Sequence, residues 1–293
     1  MELLQQLKHL PAFFVDIARL CVWLLLLMAI FVPLERLFSA HPQKIFRKFF
    51  FRDLGYYFLS GVLPKILLVI PMAMIAWVLH RIVPGEWHTW VAGMPLKFRL
   101  AGALVVGELG FYWGHRWTHE IPFLWRFHVV HHSAEEVDWL VNTRAHPLDI
   151  VFVRLCGFVP MYALGLAQPM AGRSVDVVPL LIMLIATLWG FFIHSNIRWG
   201  FGWLSFFVST PAFHHWHHTN DENINKNYAS MLPWMDKLFG TWYLPRKQWP
   251  SKYGTDTALP AGIAHQLVYP ILPQGPETAV ETSLASVSDT RIV

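Results

Sequence analysis

Long apolar runs constrain this 293-residue chain more than any other feature of its sequence. Five such runs cover about residues 13–38, 54–83, 98–114, 148–166 and 175–193. About 20 apolar residues in a helix cross the hydrocarbon core of a bilayer. Only 14% of the residues are charged, against about 25% in soluble domains. The sequence therefore predicts an all-α integral membrane helical bundle with about four to five transmembrane helices.

Three of the runs leave structural alternatives open. The second contains Pro64 and Pro71, and it forms either one kinked span or a broken pair of helices. The third is short and rich in glycine, which suits close packing against neighbouring helices. The pair within 148–193 either crosses the membrane fully or forms a shallow hairpin. The first run is too long for a signal peptide, and no cleavage site of small residues follows it.

The distribution of lysine and arginine predicts the orientation in the membrane. The segment between the first two runs holds four basic residues: Lys44, Arg47, Lys48 and Arg52. Residues 115–147 and 195–293 hold most of the others, whereas the link 168–174 holds Arg173 alone. Placing the basic segments in the cytoplasm gives an outside N-terminus and five crossings, and it puts every histidine cluster on the cytoplasmic side. The membrane is then the bacterial inner membrane, or the endoplasmic reticulum if the source is eukaryotic.

Clustered histidines are the chemically informative residues. Nine of the 16 histidines form three groups: His115 and His119; His128, His131 and His132; His214, His215, His217 and His218. Spacings of three and four residues put the imidazoles of each group on one side of a helix. Without a metal, each buried imidazole would lack polar partners at a cost of about 1–3 kcal/mol. Because neutral imidazole is a good ligand for iron and zinc, the groups predict bound metal, with nitrogens enough for two ions.

The kind of metal chemistry follows from what surrounds the histidines. A zinc hydrolase needs a carboxylate acid/base, but the His-Glu-x-x-His motif is absent and Arg116 follows His115. A metal transporter would carry its ligands within the spans, whereas most of these histidines lie between them. A nitrogen-rich set favours a redox centre of two metals. A non-redox zinc-binding membrane protein or transporter remains the alternative.

The histidine series resembles the fatty acid hydroxylase/sterol desaturase superfamily of membrane histidine-box di-iron oxygenases. The residues around it agree, namely Arg144-Ala-His-Pro147 and Trp234-Met-Asp-Lys-Leu-Phe-Gly-Thr241, and the resemblance covers about residues 100–245. It implies a cytoplasmic histidine-rich helical cap that holds two iron ions, with zinc as an alternative occupant of the purified protein. It also implies molecular oxygen as co-substrate and oxidation of a lipid C–H bond. Hydroxylation is favoured, and desaturation stays open.

The resemblance also implies domain boundaries and partners. The expected division is residues 1–97 as an N-terminal transmembrane region, 98–245 as the catalytic domain and 246–293 as a C-terminal segment. The Ser/Thr/Ala/Glu-rich composition of the tail predicts disorder from about 273. No haem or flavin module is visible, so electrons come from a separate cytochrome b5-like or ferredoxin-like protein. The substrate is left open among sterols, sphingolipids, alkylglycerols, ornithine lipids, carotenoids and fatty acids. A nucleic-acid partner is not expected, because the basic residues form no stripe.

Carried over residue by residue, the resemblance implies nine metal ligands: His115, His119, His128, His131, His132, His194, His214, His217 and His218. Some members have a further histidine four residues after the position of His194, where this chain has Arg198. One metal then has fewer protein ligands, and Asn196 is a candidate to hold a water there. Further candidates to orient the ligands are His146, His215, Asp138, Glu136 and Glu108, and each carboxylate alternatively caps a helix or faces solvent. Asp236 is expected to be structural and to help close the C-terminal segment over the site.

The remaining apolar and sulfur-containing residues carry weaker expectations. Trp189, Phe191 and Phe192 precede His194 and either line a groove that is open to the bilayer or serve as packing residues. Cys21 and Cys156 both lie inside apolar runs and lack the Cys-x-x-Cys spacing of a redox or metal site. Neither cysteine indicates a compartment.

Overall fold

Helices and connecting loops make up the described part of the chain, which is residues 11–167 and 176–273 of a computed structural model. In chain order the α-helices are α1 (Ala12–Leu37), α2 (Phe50–Ile82), α3 (Gly85–Ala92), α4 (Leu96–Glu120), α5 (Pro122–His132), α6 (Pro147–Ala163), α7 (Val177–His194), α8 (Pro211–His217), α9 (Trp234–Leu238) and α10 (Ile263–Val268). Short 3₁₀ helices cover Trp139–Thr143, Gly202–Phe206 and Tyr269–Ile271. Within the described ranges β pairing is limited to two isolated bridges, so the all-α class is confirmed.

Within the described residues, three helices are long and apolar enough to cross a membrane, namely α1, α2 and α7. The helices α3 and α4 meet at a bend of 116° and give a fourth crossing if they form one broken span. The predicted integral membrane bundle is thus confirmed. The second apolar run forms one continuous helix through Pro64 and Pro71, rather than a broken pair.

The run at 148–166 differs from the prediction of a full span. It forms α6, whose 17 residues extend only about 25 Å at the α-helical rise, against a hydrocarbon core of about 30 Å. The helix also carries Asp149 and Arg154. The link at 168–174 lies outside the described residues. So does the tail that is expected to be disordered, of which only residue 273 is described.

Glycine allows α4 and α6 to approach closely. A Cβ atom built on Gly110 would overlap the carbonyl oxygen of Cys156, and one on Gly114 would lie 2.7 Å from the Cys156 Cβ. From the other side, a Cβ on Gly157 would lie 3.2 Å from the Gly107 carbonyl oxygen. Close contact through small residues is the usual way in which helices associate in a bilayer. The predicted close packing of the glycine-rich run is therefore confirmed, and it brings α6 beside the histidines of α4.

We expect Gly110→Ala to destabilise the protein, because the added methyl group meets main-chain atoms of α6 that cannot rotate away. Overpacking of this kind costs about 1–3 kcal/mol. The thermal unfolding midpoint of the detergent-purified protein should fall by several degrees. Gly85→Ala is the matched control, since a Cβ there has no neighbour within 4 Å. Equal midpoints for the two variants would contradict the close contact.

An aromatic core holds the cap against the spans. Phe31 of α1 packs between Trp139 and Phe191, with ring centroids 6.2 and 6.4 Å away. Phe191 is 4% exposed, whereas Phe192 stacks on Phe201 at 5.9 Å. Phe191 and Phe192 therefore act as packing residues, which was the alternative to a groove lining.

Residues 227–241 close over α4 through hydrogen bonds to the buried carboxylate of Asp236. Asp236 accepts hydrogen bonds from the amides of Tyr228 (2.7 Å) and Ala229 (2.9 Å) and from the Thr241 hydroxyl (2.7 Å). Burial raises the pKa of Asp236 to about 6, although these donors oppose the shift. The Tyr112 and Thr241 hydroxyl groups lie 2.7 Å apart. These contacts fix residues 227–241 beside the histidines of α4.

Candidate metal centre

The nine histidines implied as ligands lie together in two buried groups. The five-histidine group contains His115, His119, His128, His132 and His217. The four-histidine group contains His131, His194, His214 and His218. In each group, one nitrogen from every ring lies within 4.8 Å of those from the others. All nine residues are at most 8% exposed, so water has little access to either group.

Neighbours in sequence belong to different groups, which makes the two groups adjacent in space. His131 and His132 follow each other at the end of α5, yet His131 joins the four-histidine group and His132 the five-histidine group. In α8, His214 and His217 are divided in the same way. The rings of His132 and His218, one from each group, stack at 4.6 Å. Two metal ions would therefore be close neighbours.

The outer nitrogen of five rings contacts an acceptor oxygen. Four of these contacts are to carbonyl oxygens: His115 Nδ1 to Tyr228 (2.7 Å), His131 Nδ1 to Arg144 (3.0 Å), His194 Nδ1 to Gly190 (2.7 Å) and His217 Nδ1 to Lys226 (2.8 Å). The fifth runs from His128 Nδ1 to a carboxylate oxygen of Asp149 at 2.9 Å. A carbonyl oxygen can only accept a hydrogen bond, so Nδ1 carries the proton. Each neutral ring then presents an unprotonated Nε2 to its group.

The inner nitrogens face one another at distances that suit a bound cation. His115 and His128 bring their Nε2 atoms within 3.2 Å, and so do His131 and His194. With Nδ1 protonated, both nitrogens of each pair present lone pairs, which repel unless a cation lies near them. Protonation of His131 does not relieve this repulsion, because its pKa is lowered to about 3. Burial is the main cause of the shift, and the neighbouring His128 is the next. The donor set therefore fits metal ions that prefer imidazole nitrogen, such as iron and zinc.

Asp149 contacts a ligand candidate, and the sequence interpretation missed it. It is 6% exposed, and its Oδ2 atom accepts the hydrogen bond from His128 Nδ1. A carboxylate on the outer nitrogen fixes the ring orientation of a metal ligand and raises its basicity. The available signal is an acidic residue in the first turn of the largely apolar helix α6, three residues after His146.

A buried ion network supports His131 from outside. Asp53 contacts Arg47 Nη1 at 2.6 Å and Arg144 Nη1 at 3.4 Å. Arg47 also donates twice to Asp138, at 2.7 Å each. The carbonyl oxygen of Arg144 is the one that accepts from His131 Nδ1. The two arginines and two aspartates balance in charge, so the network can remain buried beside the four-histidine group.

We expect Asp53→Asn to unbalance this network and to destabilise the protein. Burial already lowers the pKa of Arg144 to about 10 while Asp53 opposes the shift, so removing that charge leaves a buried cation uncompensated. Breaking a buried ion pair costs about 3–5 kcal/mol, which a denaturation midpoint measures. Asp256→Asn is the control, because its partner Lys252 and Asp256 itself are 63% and 78% exposed. A midpoint unchanged in Asp53→Asn would contradict the structural role of the network.

Two of the three carboxylates predicted to orient imidazoles contact other groups instead. Asp138 binds Arg47 and accepts from the amides of Leu140 and Val141, so it caps a 3₁₀ helix. Glu108 accepts from the Met231 amide at 2.6 Å and thereby holds the stretch 227–241. These two predictions are corrected: seven residues of helical spacing place Glu108 near the face of His115 but too far along the helix. For Glu136 no hydrogen bond is found among the described residues.

The other three candidates also have structural partners. His146 accepts from the Leu148 amide through Nδ1 and contacts the Leu267 carbonyl through Nε2 at 3.0 Å, so it begins α6. Asn196 holds the main chain of His41 with both ends of its amide. His215 belongs to neither group and points to the Tyr253 hydroxyl, 2.7 Å away. Its Nε2 lies 3.0 Å from the Ser195 carbonyl oxygen, beside the main chain of His194.

Comparisons with known proteins agree with this arrangement. The Fatty acid hydroxylase family matches residues 100–241. Ornithine lipid hydroxylase OlsE of Rhizobium tropici is 33% identical over 207 residues, which cover 70% of this chain and 60% of that protein. Alkylglycerol monooxygenase of Homo sapiens is 35% identical over 135 residues, or 46% of this chain and 28% of the human protein. A putative methylsterol monooxygenase of Dictyostelium discoideum is 25% identical over 219 residues, which cover 73% of this chain and 76% of that protein.

The curated relatives are matched over only part of their length. No solved structure matches the chain. The chain spans 60% of the length of the ornithine lipid hydroxylase and 28% of the human alkylglycerol monooxygenase. The family match nevertheless includes all nine implied ligands, from His115 to His218. Residues 100–241 of the chain belong to the fatty acid hydroxylase family.

Proposed function

We propose that this protein is a membrane-bound oxygenase that uses two iron ions and molecular oxygen to hydroxylate a C–H bond of a lipid. The observation that carries the proposal is the convergence of nine buried imidazoles into two adjacent groups. The names of the relatives, lipid hydroxylases and monooxygenases, support the reaction class. They also favour hydroxylation over desaturation.

The chain's own residues supply the positions and the proton states of the ligands. The five-histidine group would hold one ion and the four-histidine group the other, through the inner nitrogens described above. Bound iron would supply the activation of oxygen for attack on an otherwise unreactive C–H bond. Five of the rings keep their proton on the outer nitrogen, because an oxygen atom accepts a hydrogen bond there. These oxygens belong to Tyr228, Arg144, Gly190, Lys226 and Asp149.

Exclusion of water is the second contribution of the protein. A dry site strengthens electrostatic interactions and protects reactive species from side reactions. Burial also lowers the pKa values of His132, His217 and His218 well below the ordinary value, so these rings remain neutral and free to bind metal. The chemistry belongs to the cofactor, and the protein positions the lipid against it.

The proposal also includes the side of the membrane on which the histidine cap lies, the electron donor and the class of lipid. The basic segment between α1 and α2 favours a cytoplasmic location for the histidine cap. Electrons would come from a separate cytochrome b5-like or ferredoxin-like protein on that side. The relatives named for ornithine lipids and alkylglycerols favour a polar membrane lipid as substrate.

Lipid analysis under labelled oxygen tests the function. Cells that express the protein, grown under isotopically labelled molecular oxygen, should accumulate a lipid that carries one labelled oxygen atom. Cells that express His217→Ala, at equal protein level, should lack this product. A wild-type protein that retains iron but changes no lipid would contradict an oxygenase. Retention of zinc without any turnover would favour the non-redox alternative.

A further inference from the structure

An aromatic segment outside the candidate spans exposes large apolar side chains. We define it as residues 199–207, between α7 and α8. Its most exposed side chains are Trp203 (75%), Phe207 (51%), Leu204 (42%), Phe201 (41%) and Phe206 (40%). Large contiguous apolar patches on a protein surface mark sites of contact with another protein or a membrane.

The backbone of the aromatic segment is arranged to turn these rings outward. Phe201 has a φ of 47° and Gly202 a φ of 57°, both in the left-handed region. For a residue with a Cβ atom this conformation costs about 1–2 kcal/mol. The 3₁₀ turn that follows buries the small Ser205, whose hydroxyl donates to the Gly202 carbonyl at 2.6 Å. The small polar residue faces inward and the large apolar ones face outward, which is the reverse of a water-exposed loop.

Ring contacts place the aromatic segment at the level where two candidate spans end. The Trp199 ring lies 5.2 Å from Phe38, the residue after α1, and 6.3 Å from Phe192 in the last turn of α7. Phe201 stacks on Phe192 at 5.9 Å. The segment therefore returns along the outside of α7 instead of projecting away from the bundle.

The residues that flank the aromatic segment are hydrogen-bonded to the rest of the protein. The Arg198 amide donates to the Phe38 carbonyl at 2.8 Å, and the Ser209 amide donates to the Met231 carbonyl at 3.0 Å. The Arg198 side chain is exposed, and no ion pair with it is found among the described residues. A free guanidinium beside aromatic rings suits the boundary between lipid headgroups and acyl chains.

We propose that residues 199–207 insert into the bilayer interface, in the leaflet where α1 and α7 end, with Arg198 at the level of the headgroup phosphates. Trp and Phe are favoured partners of the membrane interface. The segment joins His194, in the four-histidine group, to α8, which carries ligand candidates of both groups. Its insertion therefore sets the depth of both histidine groups relative to the membrane surface.

Site-directed spin labelling of the full chain in phosphatidylcholine and phosphatidylglycerol vesicles tests this insertion. Single cysteines replace Trp203 or Phe207 in a Cys21→Ala, Cys156→Ala background. A label at Leu25, exposed on α1, reports the bilayer, and a label at Glu222, on an exposed polar loop, reports water. We expect labels at 203 and 207 to collide more often with dissolved oxygen than with a water-soluble nickel chelate, as at 25, and the reverse at 222.

The opposite pattern would overturn the insertion. Labels at 203 and 207 that favour the nickel chelate as at 222 would show a water-facing loop. Dipolar broadening between labels that appears only at high protein density, together with water access at low density, would assign the segment to contact with a second copy. Neither readout needs turnover, so the outcome is independent of the proposed oxygenase activity.

Discussion

Replacing His217 by alanine is expected to remove metal from the five-histidine group and to leave the four-histidine group occupied, and His214→Ala is expected to do the reverse. The two residues lie three positions apart in α8 but face different groups. Elemental analysis of each purified variant should find about half of the wild-type metal. Activity should fall roughly 100-fold or more in both, since even loss of a residue that supports a ligand costs 10–100-fold.

His215→Gln is the matched control for this pair. His215 lies between the two ligands, is equally buried and belongs to neither group. Glutamine retains polar atoms for contacts with Tyr253 and the Ser195 carbonyl, so the variant should keep both ions. If His214→Ala and His217→Ala keep the full metal content while folded, the ligand assignment is wrong. If each loses both ions completely, the two groups do not bind independently.

The second large effect concerns Asp149, which touches a ligand candidate without belonging to either group. We expect Asp149→Ala to weaken metal binding by about 10–100-fold, because His128 loses the acceptor that fixes its ring. Asp149→Asn keeps an acceptor oxygen but no charge, and it should fall between the wild type and Asp149→Ala. The rate at which a chelator removes metal from the purified protein measures the effect.

Asp16→Asn serves as the control for the Asp149 variants. Asp16 contacts Arg19 and Lys65 in α1 and α2, and within the described residues it has no contact with an imidazole. Chelator rates in this variant should equal those of the wild type. Equal rates in Asp149→Ala would show that the contact with His128 does not support the metal.

The histidines could be found from sequence, but their division into groups could not. Spacings of three and four residues identify rings on one side of a helix, and the structure brings all nine implied ligands together. Consecutive residues such as His131 and His132 are separated by about 100° around the helix axis. Which ring meets which group depends on how α4, α5, α7 and α8 pack, and local spacing does not contain that information.

The carboxylate that contacts a ligand candidate could not be identified from the sequence either. Helical periodicity predicts that Glu108 and Glu136 lie near a histidine of their own helix or run. The carboxylate that contacts a ligand candidate, Asp149, comes from a different helix, which the glycine contacts of Gly110 and Gly114 bring close. The apolar length of the run at 148–166 predicted a full membrane span, but the helix α6 that it forms has only 17 residues.

Iron content per chain is the measurement that tests the central claim most directly. The protein is purified from cells grown with ample iron and analysed for iron and zinc together with protein concentration. Two adjacent imidazole groups predict about two ions per chain, with iron as the metal that supports lipid oxidation. A folded wild-type protein that binds no metal, or only one ion per chain after reconstitution with iron, would contradict a two-metal centre.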